Sequence, residues 1–151
     1  FAVALERYLE LAGHQVMESM KPVEDLERVG PDSTVGECLE AAARSGYSRL
    51  PVTREDGRQL QSYLLVRDLL FLSPDTHDQP VPRRLWRSFL QVDARMSPYE
   101  IFEEMRGQGR QLAVVVDPGG NPQGMITLED LIETVVGSIR DEFDLAEPAV
   151  S

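Results

Sequence analysis

Apolar residues along this chain fall into short periodic blocks, and the blocks come round twice. Phe1, Leu5, Tyr8, Leu9 and Ala12 lie on one helical stripe that Gly13 can terminate, so residues 1–15 read as an opening helix. Thr34 with Glu37, and Ser97 with Pro98 and Glu100, form capping boxes. In each, the hydroxyl accepts from an amide that the first turn leaves unpaired, and the glutamate reaches back to the cap. Each box predicts a helix, ended at Gly46 in the first case and between Gly107 and Gly109 in the second. A short apolar run follows (50–52 and 112–116), then turn residues (Glu55, Asp56 and Gly57; Pro118, Gly119, Gly120 and Asn121), then a second apolar run. That order is strand, hairpin, strand. A last helix closes each half. In the second half Leu128, Leu131, Ile132, Val135, Val136 and Ile139 trace a continuous apolar face, which predicts a helix packed along its length.

The two halves are copies. Val29 matches Val92, Thr34 matches Ser97, Glu37 matches Glu100, Leu39 matches Phe102, Gly46 matches Gly109 and Val52 matches Val115, each 63 residues apart. Leu64 matches Ile126, Asp68 matches Asp130, Leu69 matches Leu131 and Leu70 matches Ile132 at a distance of 62, which puts one extra residue in the first hairpin loop. Tandem units that cannot each bury an apolar face alone pack on one another, and the cleft they share is where function is expected. Residues 73–88, with Pro74, Pro80 and Pro82 ahead of Arg83, Arg84, Leu85, Trp86 and Arg87, read as a linker. Trp86 is expected to anchor in the core, and the arginines to form a solvated face.

The 151 residues, 42% hydrophobic, suffice for one compact domain built of two halves. A net charge of -11, from 15 Lys and Arg against 26 Asp and Glu, argues against nucleic acid as partner. A phosphate-bearing ligand would have to be met by local groups or by a metal ion. The single cysteine, Cys38, falls in a predicted helix with no mate, so no disulfide framework exists and a reducing compartment fits. No apolar run approaches the ~20 residues that a membrane span needs. No signal-peptide pattern is present either, and the chain reads as a piece of something longer, such as a membrane protein.

Three segments carry a resemblance: Met20-Lys21-Pro22-Val23-Glu24-Asp25-Leu26; Ser45-Gly46-Tyr47-Ser48-Arg49-Leu50-Pro51-Val52; and a long run from Leu112-Ala113-Val114-Val115-Val116-Asp117 through Gly124-Met125-Ile126-Thr127-Leu128-Glu129-Asp130-Leu131 to Val136-Gly137-Ser138-Ile139-Arg140-Asp141-Glu142-Phe143-Asp144. With helix, strand, strand, helix twice over, they resemble the tandem CBS-domain (Bateman) module. The closer likeness is to the cytoplasmic module of the CorC and CNNM (hemolysin-like) family of magnesium and cobalt transport proteins. The resemblance spans roughly residues 16–144. It implies an α+β fold of two CBS motifs, 16–72 and 89–144, each a small sheet flanked by helices and packed pseudo-symmetrically, with a tail at 145–151. It also implies an adenine nucleotide, ATP or ADP or AMP, bound between the repeats, with magnesium carried by the phosphates rather than by protein ligands. No catalysis is implied. A homodimer on the cytoplasmic side of a membrane-embedded parent is expected, with membrane contact only through a transmembrane portion outside this chain.

Carried over residue by residue, Thr127 would meet phosphate and Asp130 would accept from the ribose hydroxyls. Tyr47, Ser48 and Arg49 would flank the base and the phosphates, and Met125 would present its backbone to the cleft. Lys21 stands where the family usually has Thr, losing a hydroxyl and adding a charge that can still meet phosphate. Leu65 stands where the second copy has Thr127, so one nucleotide per chain is expected rather than two.

Physical chemistry supports such a site and offers a plainer reading beside it. A helix N-terminus suits an anion, and a carboxylate three residues on can take a vicinal diol. Thr127-x-x-Asp130 is also a capping box that needs no ligand. Arg49 equally suits a surface ion pair worth under ~1 kcal/mol. A module that only dimerises is therefore the alternative. An enzyme is disfavoured: Glu129 and Asp130 are adjacent and point about 100° apart on a helix, and His14 and His77 have no metal-ligand spacing.

Overall fold

The computed structural model describes residues 19–146, so the opening helix expected over 1–15 lies outside the described residues. The elements are β1 (Lys21–Pro22), α1 (Val35–Ser45), β2 (Arg49–Thr53), β3 (Leu60–Leu65), α2 (Val66–Leu70), β4 (Leu90–Asp93), α3 (Pro98–Gln108), β5 (Leu112–Val116), β6 (Pro122–Thr127) and α4 (Leu128–Ala146). The fold is the expected mixture of helices and small sheets. Contacts divide it after Pro22 and after Phe89 into two compact units: Val23–Phe89 holds the first copy, and the remainder, β1 included, holds the second.

Both helical starts are built as the capping boxes require. Thr34 Oγ1 accepts from Glu37 N at 3.1 Å while Glu37 Oε1 accepts from Thr34 N at 3.0 Å. Ser97 and Glu100 make the same exchange at 3.2 and 3.5 Å. Gly46 (φ 73°) and Gly109 (φ 63°) end these helices in the left-handed region, where a side chain is strained.

The hairpins repeat residue for residue. Arg49 faces Leu65 and Thr53 faces Leu60 in β2–β3; their counterparts Leu112 with Thr127 and Val116 with Pro122 face each other in β5–β6. Each hairpin slips register before its last pair, at Val52/Thr53 and at Val115/Val116. The loops span 54–59 and 117–121, so the change of offset is one residue in a turn. Val29 bridges Val52 in parallel, as Val92 in β4 pairs in parallel with Val115. The strands β1 and β4 carry no periodic signal in the sequence, because two- and four-residue strands are too short to show an alternation.

Each unit has its own core. In the first, Val35, Cys38, Leu50, Val52, Leu64 and Leu69 cluster with Val81, and Leu85 and Trp86 pack against them. In the second, Ile101, Met105, Ala113, Val115, Ile126 and Leu131 cluster with Met20. The expectation that α4 is packed along its length is corrected. Leu131 is fully buried and Leu128 packs on the core, but Ile132 and Val136 are 42% and 46% exposed. The apolar stripe is wider than the seam that faces the sheet, and one step round the helix turns a side chain by about 100°.

The segment after α2 runs over the first unit. Its Gln79 and His77 carbonyls accept from Val35 N and Gly36 N, at 3.0 and 2.8 Å, and so take the first two amides of α1. Trp86 does anchor on the core, with the Arg83 guanidinium stacked 4.6 Å from its ring centroid.

Two outcomes are expected here. Gly124 faces Pro22 across β1–β6, and a Cβ there would collide with the Lys21 carbonyl and lie 2.8 Å from the Met20 sulfur. Gly124→Ala should therefore destabilise by ~1–3 kcal/mol in urea unfolding, whereas Gly137→Ala in α4, where a Cβ meets nothing within 4 Å, should stabilise by up to ~1 kcal/mol. Burial pushes the Cys38 thiol up to about 11, with the Glu37 charge adding to it. At about pH 8 the native chain should resist aromatic disulfide reagents and react only on unfolding, since the thiolate is the nucleophile.

Candidate functional site

Strand β6 runs into α4 with no intervening loop, so Thr127 ends the strand and caps the helix at once. Its Oγ1 accepts from Asp130 N at 3.1 Å. The Leu128 amide, the first of the helix, donates to the Gln111 carbonyl at 3.0 Å. Two amides of the first turn are thus committed within the protein, which narrows what this terminus offers to an anion. Thr127 keeps its own hydroxyl proton as a donor.

Asp130 does not complete a capping box. The Glu37 and Glu100 carboxylates both reach back to their caps, but the exposed Asp130 carboxylate accepts no hydrogen bond from any described residue. The Thr127-x-x-Asp130 spacing therefore supports half of the plain capping reading: the hydroxyl caps, and the carboxylate is left over. An acceptor held three residues from a hydroxyl, on a rigid strand-to-helix corner, suits a ligand with adjacent hydroxyls and an oxyanion.

Lys21 and Met125 face each other in the β1–β6 pairing, two residues before Thr127, with Lys21 half-buried and Met125 buried. Four of the expected site residues thus lie on one corner of the second unit. Tyr47, Ser48 and Arg49 lie in the first unit. The Tyr47 hydroxyl donates to the Asp25 carbonyl at 2.8 Å, tying down the turn Val23–Asp25. Ser48 supplies its carbonyl to Val66 N at 3.0 Å, as Gln111 does to Leu128. Arg49 opens β2, half-buried.

The first copy answers each part of this corner differently. Leu65 holds the place of Thr127 and gives α2 no side-chain cap. Asp68 holds the place of Asp130 and is paired with Arg87, whose Nε and Nη2 lie 3.2 and 3.1 Å from Oδ2. Sequence reasoning missed this pair, because Arg87 lies 19 residues on from Asp68 and no local spacing links the two. Among the described residues no group of three or more His, Cys, Asp or Glu is placed to hold a metal ion.

Residues 16–75 and 83–137 match the CBS domain family. The chain is 31% identical over 141 residues to the magnesium and cobalt efflux protein CorC of Salmonella typhimurium strain LT2, and 30% identical to that of Escherichia coli K12. These alignments take in 93% of the chain and 48% of each relative, so the chain spans about half the length of the curated relatives it matches. Among solved structures, the CBS domain of a bacterial CNNM/CorC family Mg2+ transporter in complex with ATP superposes with a TM-score of 0.76 at 28% identity, covering 89% of this chain and 94% of that one. Another structure of a CBS domain of this transporter family gives 0.77, also at 28%, over 88% of this chain and 82% of that one.

The cap is testable apart from any ligand. Thr127→Ala should cost about 0.5–2 kcal/mol in thermal unfolding without nucleotide, and Thr127→Ser should restore most of it.

Proposed function

The chain belongs to the CBS domain family, as a tandem pair with homology to the CorC proteins, and on that premise we propose that it is a regulatory adenine-nucleotide-sensing module of a membrane magnesium and cobalt transport protein. ATP, or ADP or AMP, is the ligand. Asp130 takes the ribose hydroxyls and Thr127 meets phosphate, with Lys21 and Met125 beside them. Tyr47, Ser48 and Arg49 are the remaining residues in this reading of the nucleotide-binding set. The observation that carries this reading is the Asp130 carboxylate, exposed at a capped corner and unbonded among the described residues, while its twin Asp68 is bonded. The ATP complex of the similar transporter module supports the choice of nucleotide.

The module binds and signals; it does not catalyse. The parent is a membrane protein with this piece on the cytoplasmic side. No helix among the described residues is long and apolar enough to cross a membrane.

A second role, self-association, is favoured by apolar side chains left in water. Leu70 and Phe71 are 68% and 89% exposed in the first unit, and Ile132, the counterpart of Leu70, and Val136 are exposed in the second. A second copy of the chain is the proposed occupant of these surfaces. The alternative reading, a dimerisation module that takes no ligand, rests on the same side chains and is separated by nucleotide titration.

Calorimetry of the chain with ATP should show binding that tightens with magnesium, since a net charge of -11 repels a free triphosphate. AMP should be nearly indifferent to magnesium. Asp130→Ala should lose about 1.5–3 kcal/mol of ATP affinity, the scale of a hydrogen bond to a charged group, and with it the preference for ribose over 2′-deoxyribose. Unchanged affinity and sugar preference in a variant that melts normally would remove Asp130 from the site. Phe71→Asp should shift the sedimentation of the chain toward monomer.

A further inference from the structure

The strand pairings set Arg87 and Lys21 in the same place in their two units. Lys21 pairs across β6 with Met125; Tyr63, the residue 62 positions before Met125, pairs with Arg87. The Arg87 pairing is closed in both directions, Arg87 N to Tyr63 O at 2.8 Å and Tyr63 N to Arg87 O at 2.9 Å. Met125 and Tyr63 each stand five residues before the aspartate of their own copy. A cation therefore faces the same strand position in both units, one supplied by β1 and the other by the stretch that leads into β4.

In the first unit the cation has already found the aspartate. Both bonds from Arg87 go to one oxygen of Asp68, whose side chain is only 20% exposed. The guanidinium brings a full opposite charge and two N–H donors to the carboxylate, where a sugar hydroxyl brings only a neutral donor. The guanidinium is also tethered, by its own backbone pairing and by Trp86 seated on the core next to it. Held in place, it meets the carboxylate without the loss of translational and rotational freedom that a free ligand bears on binding. Leu65 adds no hydroxyl at the helix start.

Resting on the nucleotide reading above, we infer that Arg87 is an internal occupant of the first copy, holding Asp68 closed to ribose so that the chain carries one nucleotide, at Asp130. The repeat supplies two similar corners, and the bonds of one arginine make them unequal. Arg87 itself is 44% exposed, so its pair with Asp68 adds little to stability, and variants without it should fold.

The test is calorimetry of the whole chain with Mg-ATP, on the wild type, Leu65→Thr, Arg87→Met and the double variant, each checked by melting. Arg87→Met keeps the backbone pairing and most of the side-chain length. The wild type and Leu65→Thr should bind one nucleotide per chain, and the double variant should show a second, weaker event. A second event in the wild type or in Leu65→Thr, or a folded double variant that stays at one, overturns the inference. Should the double variant not fold, the Arg87 Nε–H resonance of the wild type decides: it should be unmoved at saturating Mg-ATP, and a large shift would show that ligand opens the pair. No heat in any protein would instead sink the nucleotide reading, and this inference with it.

Discussion

The structure depends on how each hairpin is joined to the helix after it. No loop separates β3 from α2 or β6 from α4. The first amide of each helix donates back to the carbonyl just ahead of the hairpin's first strand, Val66 to Ser48 and Leu128 to Gln111, both at 3.0 Å. A helix start left unpaired at a buried corner would be costly, so this bond sets the angle at which the helix leaves the sheet. Everything placed on the first turn is then positioned with the precision of a strand pairing. That is why Asp68 and Asp130 occupy matching corners despite the different residues around them.

Function follows from what hangs on that shared junction. At Asp130 the cap comes from Thr127, and the carboxylate has no protein task among the described residues. At Asp68 no side chain caps the helix, and the carboxylate is spent on Arg87. The segment after α2 does more than connect. Its carbonyls cap α1, Val81 and Trp86 extend the first core, and Arg87 pairs with β3. The same stretch that stabilises the first copy also makes it unlike the second. β1 does the corresponding work on the second sheet, where Gly124 lets the backbone of Lys21 approach closely.

Much of this was legible in the amino-acid sequence because it is local or repeated. Capping boxes, left-handed glycines and hairpin turns are decided within a few residues by hydrogen-bond chemistry and by φ, and they stand as expected at Thr34, Gly46, Ser97 and Gly109. The repeat carried the register as well: the shift from 63 to 62 is a single residue in a turn. Homology to CorC was legible too, from the run around Gly124 to Asp130, and the match to the CBS domain family bears it out.

Pairings between residues distant in sequence were decided only by the tertiary structure. The strands β1 and β4 exist because a longer strand stands beside them, and Lys21–Pro22 is too short to declare itself alone. The width of the buried seam on α4 depends on what the sheet covers, so Leu131 is enclosed while Ile132 and Val136 meet solvent, although all three belong to one apolar stripe. The sequence by itself determined two copies, their caps, their turns and a pair of equivalent aspartates. Which aspartate is left open was settled by an arginine 19 residues from Asp68, because an ion pair depends on where the backbone brings two charges together, and that distance is written in no local pattern.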